Sequence, residues 1–276
     1  MSTRISLWAV SLAAALAMAA APSPAGTFIP LDDLNSQVRF TPDSGVIGWD
    51  IDGANQLKQQ GFWYRLDGMT QTAPLMNLAS GSGSFTYKPS DNDYDTGDET
   101  LHAVYDNGAG FTTALTYTLA GGQGGSHAAS LQETIAFTNT TAQAIHLQFY
   151  QYCDFDLSGP AGADTVTRVN ANTIVQQGGA ATVAETVVTP SPVLSEVATY
   201  GATLTKLNTT ADNLDGSTGP LGPADVTWAF QWDLSVPAGQ TVQISKIKSV
   251  TPEPATLALM ASGLVIAAAV RRRRMR

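Results

Sequence analysis

Alternating apolar and polar residues mark two strands of this chain clearly. From Val226 to Val236 every even position is apolar. From Ala144 to Ser158 the odd positions are apolar, with Gln151 as the interruption. Because side chains on a strand point alternately to its two sides, each segment is predicted to be a core strand with one wetter face.

The rest of the interior also favours strands. Thr and Val are frequent, and Gly-rich clusters such as 121–125 separate short apolar runs. Between residues 27 and 250, only Asp52 to Gln60 has a pattern compatible with a helix. Many short strands separated by turn residues indicate an all-β fold, an antiparallel two-layer β-sandwich.

Two hairpins are expected within this fold. Asn139-Thr140-Thr141 would turn a strand at Leu131 to Thr138 back into the strand that begins at Ile145. Pro237 to Gln240 would join the tryptophan strand to a strand at Thr241 to Ile247. Asn, Pro and Gly are the residues that such tight connections prefer.

The N-terminal 25 residues resemble a secretory leader. Arg4 precedes an Ala- and Leu-rich segment, Ile5 to Ala21, which small residues and two prolines follow. This order predicts a Sec signal peptide, cleaved near Ala19–Ala21 or after Ala25, over the alternative of an uncleaved anchor. The chain is therefore expected to be exported.

The last 27 residues combine three unlike features in a fixed order. Pro252-Glu253-Pro254 is followed by 16 uncharged residues, Ala255 to Val270, and then by four arginines, Arg271, Arg272, Arg273 and Arg274. Sixteen helical residues extend about 24 Å, which is short of the ~30 Å hydrocarbon core. We nevertheless predict a single transmembrane helix, because the arginines favour the cytoplasmic side and would orient the rest of the chain outside. The alternative, a buried core helix with a solvated basic tail, does not account for the arginine block.

This tail resembles the PEP-CTERM sorting signal of Gram-negative bacteria, although Thr251 stands where many relatives carry valine. The resemblance covers about a tenth of the chain. It implies that exosortase, a membrane cysteine transpeptidase-like protein, processes the signal, and it links the chain to exopolysaccharide and biofilm production. It implies no catalytic activity in this chain.

The sequence divides into a signal peptide (1–25), a β-sandwich body (26–250) and a sorting signal (251–276). Residues 26–252 contain 8 Lys and Arg against 22 Asp and Glu, a net charge of −14. Such acidity argues against binding to nucleic acid. The single cysteine, Cys153, forms no bridge within the chain and is expected to be an inert, buried thiol.

Candidate metal chemistry is sparse, and no cofactor is expected. Asp91, Asp93 and Asp95 alternate like the start of a calcium loop, but Gly97 is one place late and His102 occupies the twelfth position. An acidic, solvated connection is the favoured interpretation of this segment. The three histidines, His102, His127 and His146, lack the spacing of zinc ligands.

Two other groups of side chains are candidate sites. Gln148, Tyr150 and Tyr152 share a strand face that would suit sugar rings, but cross-strand packing on a half-exposed sheet is the favoured explanation of the tyrosines. Asp154, Asp156 and Asp164 would suit glycoside hydrolysis if a cleft held them at a set separation. The favoured interpretation is that they edge a strand and a turn, where aspartate is common.

We therefore expect a non-enzymatic protein, exported by the Sec machinery, held in the inner membrane by its C-terminal helix, sorted by exosortase and destined for the cell surface or matrix. Its body is expected to bind exopolysaccharide or to assemble with other matrix components. One alternative is a secreted glycan-processing enzyme that uses Asp154, Asp156 and Asp164. Another is a purely structural surface protein without a ligand.

Overall fold

The computed structural model describes residues 28–76, 84–92, 97–106, 108–158 and 161–253. In chain order the strands are β1 (Ile29–Asp33), β2 (Ser36–Thr41), β3 (Gly45–Ile51), β4 (Ala54–Leu66), β5 (Ala73–Pro74), β6 (Ser84–Ser90), β7 (Thr100–Asp106), β8 (Phe111–Gly121), β9 (Ala129–Asn139), β10 (Ile145–Phe155), β11 (Asp164–Asn170), β12 (Thr173–Gly178), β13 (Ala181–Thr189), β14 (Leu194–Thr199), β15 (Leu221–Ala224), β16 (Val226–Val236) and β17 (Thr241–Pro252). The helix α1 (Ala202–Thr209) lies between β14 and β15.

These strands form two antiparallel sheets. Sheet A has the order β1-β2-β3-β4-β10-β16-β14, with the short β5 beside β4. Sheet B has the order β15-β11-β12-β13-β17-β9-β8-β7-β6. Buried side chains from both sheets form one hydrophobic cluster. The all-β, antiparallel sandwich predicted from the sequence is confirmed.

Aromatic rings fill much of this shared core. The ring of Phe149 in sheet A lies 4.8 Å from that of Phe137 in sheet B, tilted by 63°. Within sheet A, Phe155 stacks on Trp228 with 5.2 Å between ring centroids. Burial of each such side chain contributes roughly 1.5–3 kcal/mol, and paired rings add about 0.5–1.5 kcal/mol. The alternation of β10 and β16 thus places its apolar side in the core as predicted.

Both expected hairpins are wrong, because each tight connection joins different sheets. Strand β9 lies in sheet B and β10 in sheet A, while β16 lies in sheet A and β17 in sheet B. The pairs formed are β10 with β16 and β9 with β17. The Asn139 amide donates to the Val236 carbonyl at 2.8 Å, so the two connections are bonded to each other at one end of the sandwich. Turn residues indicate that the chain reverses, but not which sheet it enters.

The helical pattern at Asp52 to Gln60 is also wrong, because this segment forms a turn and the first half of β4. Helix α1 and the chain after it instead cover the outer side of sheet A. Leu207 and Leu214 pack there against Trp63, Tyr150 and Tyr152. The side of β10 and β16 expected to be wetter is therefore largely buried.

Four charged side chains lie inside the sandwich, between the sheets. We call Glu133, Glu185, Lys246 and Lys248 the buried charge cluster; each is at most 1% exposed. Lys246 and Lys248 each contact both glutamates. Trp228 donates to Glu185 at 2.8 Å, which further satisfies that carboxylate. The two positive and two negative charges balance within the core.

Cys153 is buried where the hydrophobic core meets the buried charge cluster. Its Sγ lies 3.5 Å from Glu185 Oε2 and accepts a hydrogen bond from the Gln151 amide at 3.0 Å. Burial, followed by the nearby Glu185 charge, raises the pKa of the Cys153 thiol well above its usual value. The thiol therefore stays protonated and unreactive at neutral pH.

Among the described residues, no helix is both long enough and apolar enough to cross a membrane. The predicted signal peptide at 1–25 and the predicted transmembrane segment at 255–270 lie outside the described residues.

Candidate functional site

Pro252 and Glu253, the start of the Pro-Glu-Pro sequence, are hydrogen-bonded to sheet B at the end of β17. Strand β17 pairs with β13 up to Pro252, which is buried opposite Ala181. The Glu253 amide donates to the Ala180 carbonyl at 2.9 Å, and its carboxylate accepts a bond from the Thr182 hydroxyl at 2.8 Å. The described chain thus stays hydrogen-bonded to sheet B through Glu253. Pro254 and Arg271 to Arg274 lie outside the described residues.

A polar surface lies on the outer side of sheet A, at one end of β4, β10 and β16. We call Arg65, His146, Gln148, Asn213 and Asp233 the Arg65 surface. Arg65 donates to Gln148 at 2.5 Å and to Asn213 at 3.0 Å. All five side chains are at least partly exposed. They are held by three neighbouring central strands and by the loop after α1, which keeps their donors and acceptors in fixed directions.

An open groove of about 600 Å³ runs along this surface. Arg65, His146, Gln148 and Asp233 supply its polar groups, and Leu66, Met69, Leu147 and Leu234 supply apolar area. The lining is more polar than apolar, so the groove offers mainly hydrogen-bonding groups with limited apolar area between them.

Of the predicted ligand face, only Gln148 remains at the surface. The rings of Tyr150 and Tyr152 are both 0% exposed beneath the segment around α1. Tyr150 donates to Gln148 at 3.4 Å, so it supports the Arg65 surface from below. The idea of a tyrosine platform for sugar rings is corrected, because α1 covers the rings. Packing within the sheet explains them.

An acidic cluster lies at the opposite end of β10. We define it as Asp154, Asp156 and Asp225, which each offer a carboxylate oxygen within 4.8 Å of the others. Asp154 is 2% exposed, and its Oδ1 has no hydrogen-bond partner among the described residues. Burial, followed by the charges of Asp156 and Asp225, raises the pKa of Asp154 to about 7. Burial and then Asp156 also raise the pKa of Asp225.

Asp164, the third member of the predicted carboxylate group, has a structural role. Its Oδ2 accepts a bond from the Leu157 amide at 3.1 Å and another from the Gln176 side chain. Gly178 packs so closely that a Cβ there would lie 1.7 Å from Asp164 Oδ1. Asp164 thus ties β11 and β12 to the chain after β10, while Asp154 and Asp156 join Asp225.

Sequence reasoning missed Asp225, Arg65 and Asn213. Asp225 directly precedes β16, and the antiparallel register of β10 with β16 pairs Asp154 with Thr227. That pairing brings the start of β16 beside the end of β10, so a correct pairing of the two legible strands would have indicated Asp225. No local signal marked Arg65 or Asn213.

The other predicted candidates remain separate. Asp93 and Asp95 lie outside the described residues, so the alternating acidic segment at Asp91 stays a prediction. His102 contacts Thr116 on sheet B, and His127 lies 3.3 Å from Asp52. His146 lines the groove of the Arg65 surface. The structure does not bring the three histidines together.

Solved structures with the same fold include a galactose mutarotase related enzyme from Lactobacillus acidophilus. That structure has a TM-score of 0.53 and 9% identity, covering 82% of this chain and 97% of the other. The Slr1438 protein from Synechocystis sp. PCC 6803 has a TM-score of 0.50 and 8% identity, covering 82% of this chain and 96% of the other. At such identities the likeness shows a shared fold and no activity. No curated protein matches the chain.

The C-terminal end is similar to a described family. The family model of the PEP-CTERM protein-sorting motif matches residues 250–274. This match covers the Pro-Glu-Pro sequence, the apolar run and the arginines whose order suggested the same family. The motif implies export, passage through a membrane and processing by exosortase. The chain therefore carries a PEP-CTERM sorting motif at residues 250–274, which starts inside β17, the last strand of sheet B.

Proposed function

We propose that this protein is a non-enzymatic component of the cell surface or extracellular matrix, which exosortase sorts and whose folded part binds polysaccharide. The sorting part rests on Pro252, Glu253 and Pro254. The binding part rests on the Arg65 surface. The observation that carries it is the bonded network of Arg65, Gln148 and Asn213 beside an open groove.

The chemistry of this surface suits a sugar chain. Planar amide, guanidinium and carboxylate groups bind pairs of neighbouring hydroxyls, since each offers two donors or acceptors at fixed spacing. Asp233 accepts a bond from Gln231 at 3.2 Å, which fixes the carboxylate beside the groove. The leucines and Met69 supply area for the apolar faces of sugar rings.

The expected ligand is a neutral polysaccharide rather than a polyanion. Arg65 is the one cation lining the groove within the described part of the chain, against Asp67 and Asp233. The net charge of −14 on residues 26–252 opposes the approach of a polyanion. Binding should therefore depend only weakly on salt.

Titration of the purified exported protein with neutral and acidic oligosaccharides tests this assignment. Arg65→Ala and Asp233→Asn are each expected to weaken binding of a neutral glycan about tenfold, because a bond to a charged group is worth roughly 1.5–3 kcal/mol. Lys88→Ala removes an exposed charge from β6 of sheet B and should leave affinity unchanged. Equal binding by all three variants, or none by the wild type, would reject the glycan site.

A separate measurement tests the sorting part. We expect Ala255 to Val270 to span the inner membrane, with Arg271 to Arg274 in the cytoplasm, until exosortase acts. Intact mass and fractionation of the mature protein should show loss of the segment at 1–25 and a new end near Pro252 to Pro254. A reporter fused before Pro252 that works only in the cytosol would overturn this topology.

A glycan-processing enzyme is the second candidate, and one observation favours it. Asp154 has a pKa of about 7, which suits a general acid near neutral pH, and Asp156 lies beside it. A turnover screen on glycans decides between the two. Activity that Asp154→Asn abolishes would support the enzyme, and absence of turnover would support the non-enzymatic protein.

A further inference from the structure

The acidic cluster is assembled by the pairing of two central strands of sheet A. Asp154 lies near the end of β10, Asp156 directly follows that strand, and Asp225 directly precedes β16. Residues 154 and 227 are partners in the antiparallel register. Three carboxylates therefore meet at one point because of backbone pairing, not because of flexible side-chain placement.

The cluster is short of compensating groups. Asp154 is almost fully buried, yet its Oδ1 has no hydrogen-bond partner among the described residues. The charge of Lys58 acts on Asp154. Nevertheless, no ion pair joins Lys58 to the three aspartates in the described ranges. A buried carboxylate oxygen without a donor is costly unless a proton or a cation neutralises it.

The spacing of the oxygens matches one ion of calcium size. Calcium binds oxygens at about 2.3–2.6 Å, so two of its ligands lie at most about 4.6–5.2 Å apart. The three carboxylates offer oxygens within 4.8 Å of one another. Magnesium keeps several waters and is usually bound through one or two carboxylates, so three protein carboxylates favour calcium. An all-oxygen, all-carboxylate set also disfavours zinc and copper.

We propose that Asp154, Asp156 and Asp225 bind one calcium ion where the central strands β10 and β16 of sheet A meet, at one end of the sheet. The ion would join the end of β10 to the start of β16. It would also stabilise the segment around α1 that packs over Tyr152. The Asp225 carbonyl accepts a hydrogen bond from the amide of Tyr200, which lies just before α1, at 2.8 Å. This site is distinct from the alternating acidic segment at Asp91.

Calcium would act mainly after export. Sites of extracellular modules typically have Kd values of about 10⁻⁴–10⁻³ M, so they fill only where calcium is plentiful. An ion that binds only the folded state raises its stability by mass action. This benefit depends on the export in the proposed function, whereas the binding itself does not.

Calcium titration of the purified exported protein, followed by calorimetry and thermal unfolding, tests the site. We expect saturable binding with one ion, and a Tm that rises in millimolar CaCl₂ but not in MgCl₂ or in NaCl of equal ionic strength. Asp156→Asn and Asp225→Asn should each weaken binding at least tenfold. Asp212→Asn, an exposed carboxylate in the loop after α1, is the matched control and should bind as the wild type does.

Three results would overturn the proposal. The first is absence of binding up to 10 mM calcium, which is roughly tenfold above the highest Kd of such modules. The second is unchanged calcium binding in both Asp156→Asn and Asp225→Asn. The third is loss of binding only in the Asp93→Asn, Asp95→Asn double variant. Circular dichroism verifies that the variants fold. If either does not, wild-type protein is tested with terbium, whose emission through nearby Tyr152 should appear and be displaced by calcium. Absence of that emission would also overturn the proposal. None of these measurements depends on glycan binding or sorting.

Discussion

The buried charge cluster provides a quantitative test of how this sandwich is stabilised. Glu133→Met would leave Lys246 and Lys248 with Glu185 as their remaining carboxylate, at 3.1 Å and 3.2 Å. At an effective dielectric constant near 20, each such contact is worth about 5 kcal/mol before the cost of desolvation. Removal of one partner from a buried ion pair has a net cost of about 3–5 kcal/mol. We expect Glu133→Met to destabilise the fold by that amount.

The matching prediction concerns the double variant Glu133→Met, Lys248→Met. It removes one charge of each sign and leaves Lys246 paired with Glu185, so the core stays neutral. Replacement of a buried pair by apolar residues of similar size is often neutral or stabilising. The double variant should therefore be more stable than either single variant, with a coupling energy of at least about 2 kcal/mol.

Urea unfolding followed by circular dichroism measures all four proteins of this cycle. Asp106→Asn, an exposed carboxylate at the end of β7, serves as the control for charge removal and should shift stability by less than about 0.5 kcal/mol. If the double variant lost the sum of the two single losses, the cluster would not act as a balanced unit. The reasoning about its charges would then be refuted.

Two further predictions concern pH and the sorting motif. Burial alone would raise the pKa of Glu185, but Lys246 and Lys248, with hydrogen bonds from Gln151 and Trp228, lower it to about 2, below the 4.5 of the unfolded chain. The ionised Glu185 therefore contributes stability above pH 4.5 that should be lost as the pH falls toward 2. Glu185→Gln should flatten the stability–pH curve in that window. Thr182→Val removes the hydroxyl that holds Glu253, so the start of the motif should open more easily, by about 1 kcal/mol. Processing measured by pulse-chase should then be faster than in wild type. Thr186→Val, on the same strand, is the control and should leave the rate unchanged. A slower rate in Thr182→Val would show instead that exosortase recognises the motif while Glu253 is bonded to Thr182.

Local patterns identified the central strands β10 and β16 of this protein, but they did not identify the partners of these strands. The even positions of β16 and the odd positions of β10 point into the core, as their alternation predicted. The reversals at residues 140–144 and 237–240 were visible in the sequence. Their destinations were not, because a connection within a sheet and one between sheets use the same turn residues, and distant strands decide between them.

The candidate sites differ in the same way. Asp154 and Asp156 were singled out because they lie close together in the sequence. Asp225 reaches them only through the register of β10 with β16. Lys246 and Lys248 occupy inward positions of β17, where alternation predicts apolar residues, and only the glutamates of two other strands make their burial tolerable.

The sequence by itself determined two properties of this protein: the sorting motif, whose three parts are contiguous, and the β character, which follows from a two-residue period. The tertiary structure decided which sheet each strand joins, which aspartates meet, and that α1 buries the side of β10 that its polar residues suggested was wet. The physical reason is the separation along the chain of the residues that determine each property. A contiguous motif and an alternating pattern are local, whereas burial and charge pairing depend on residues brought together from far along the chain.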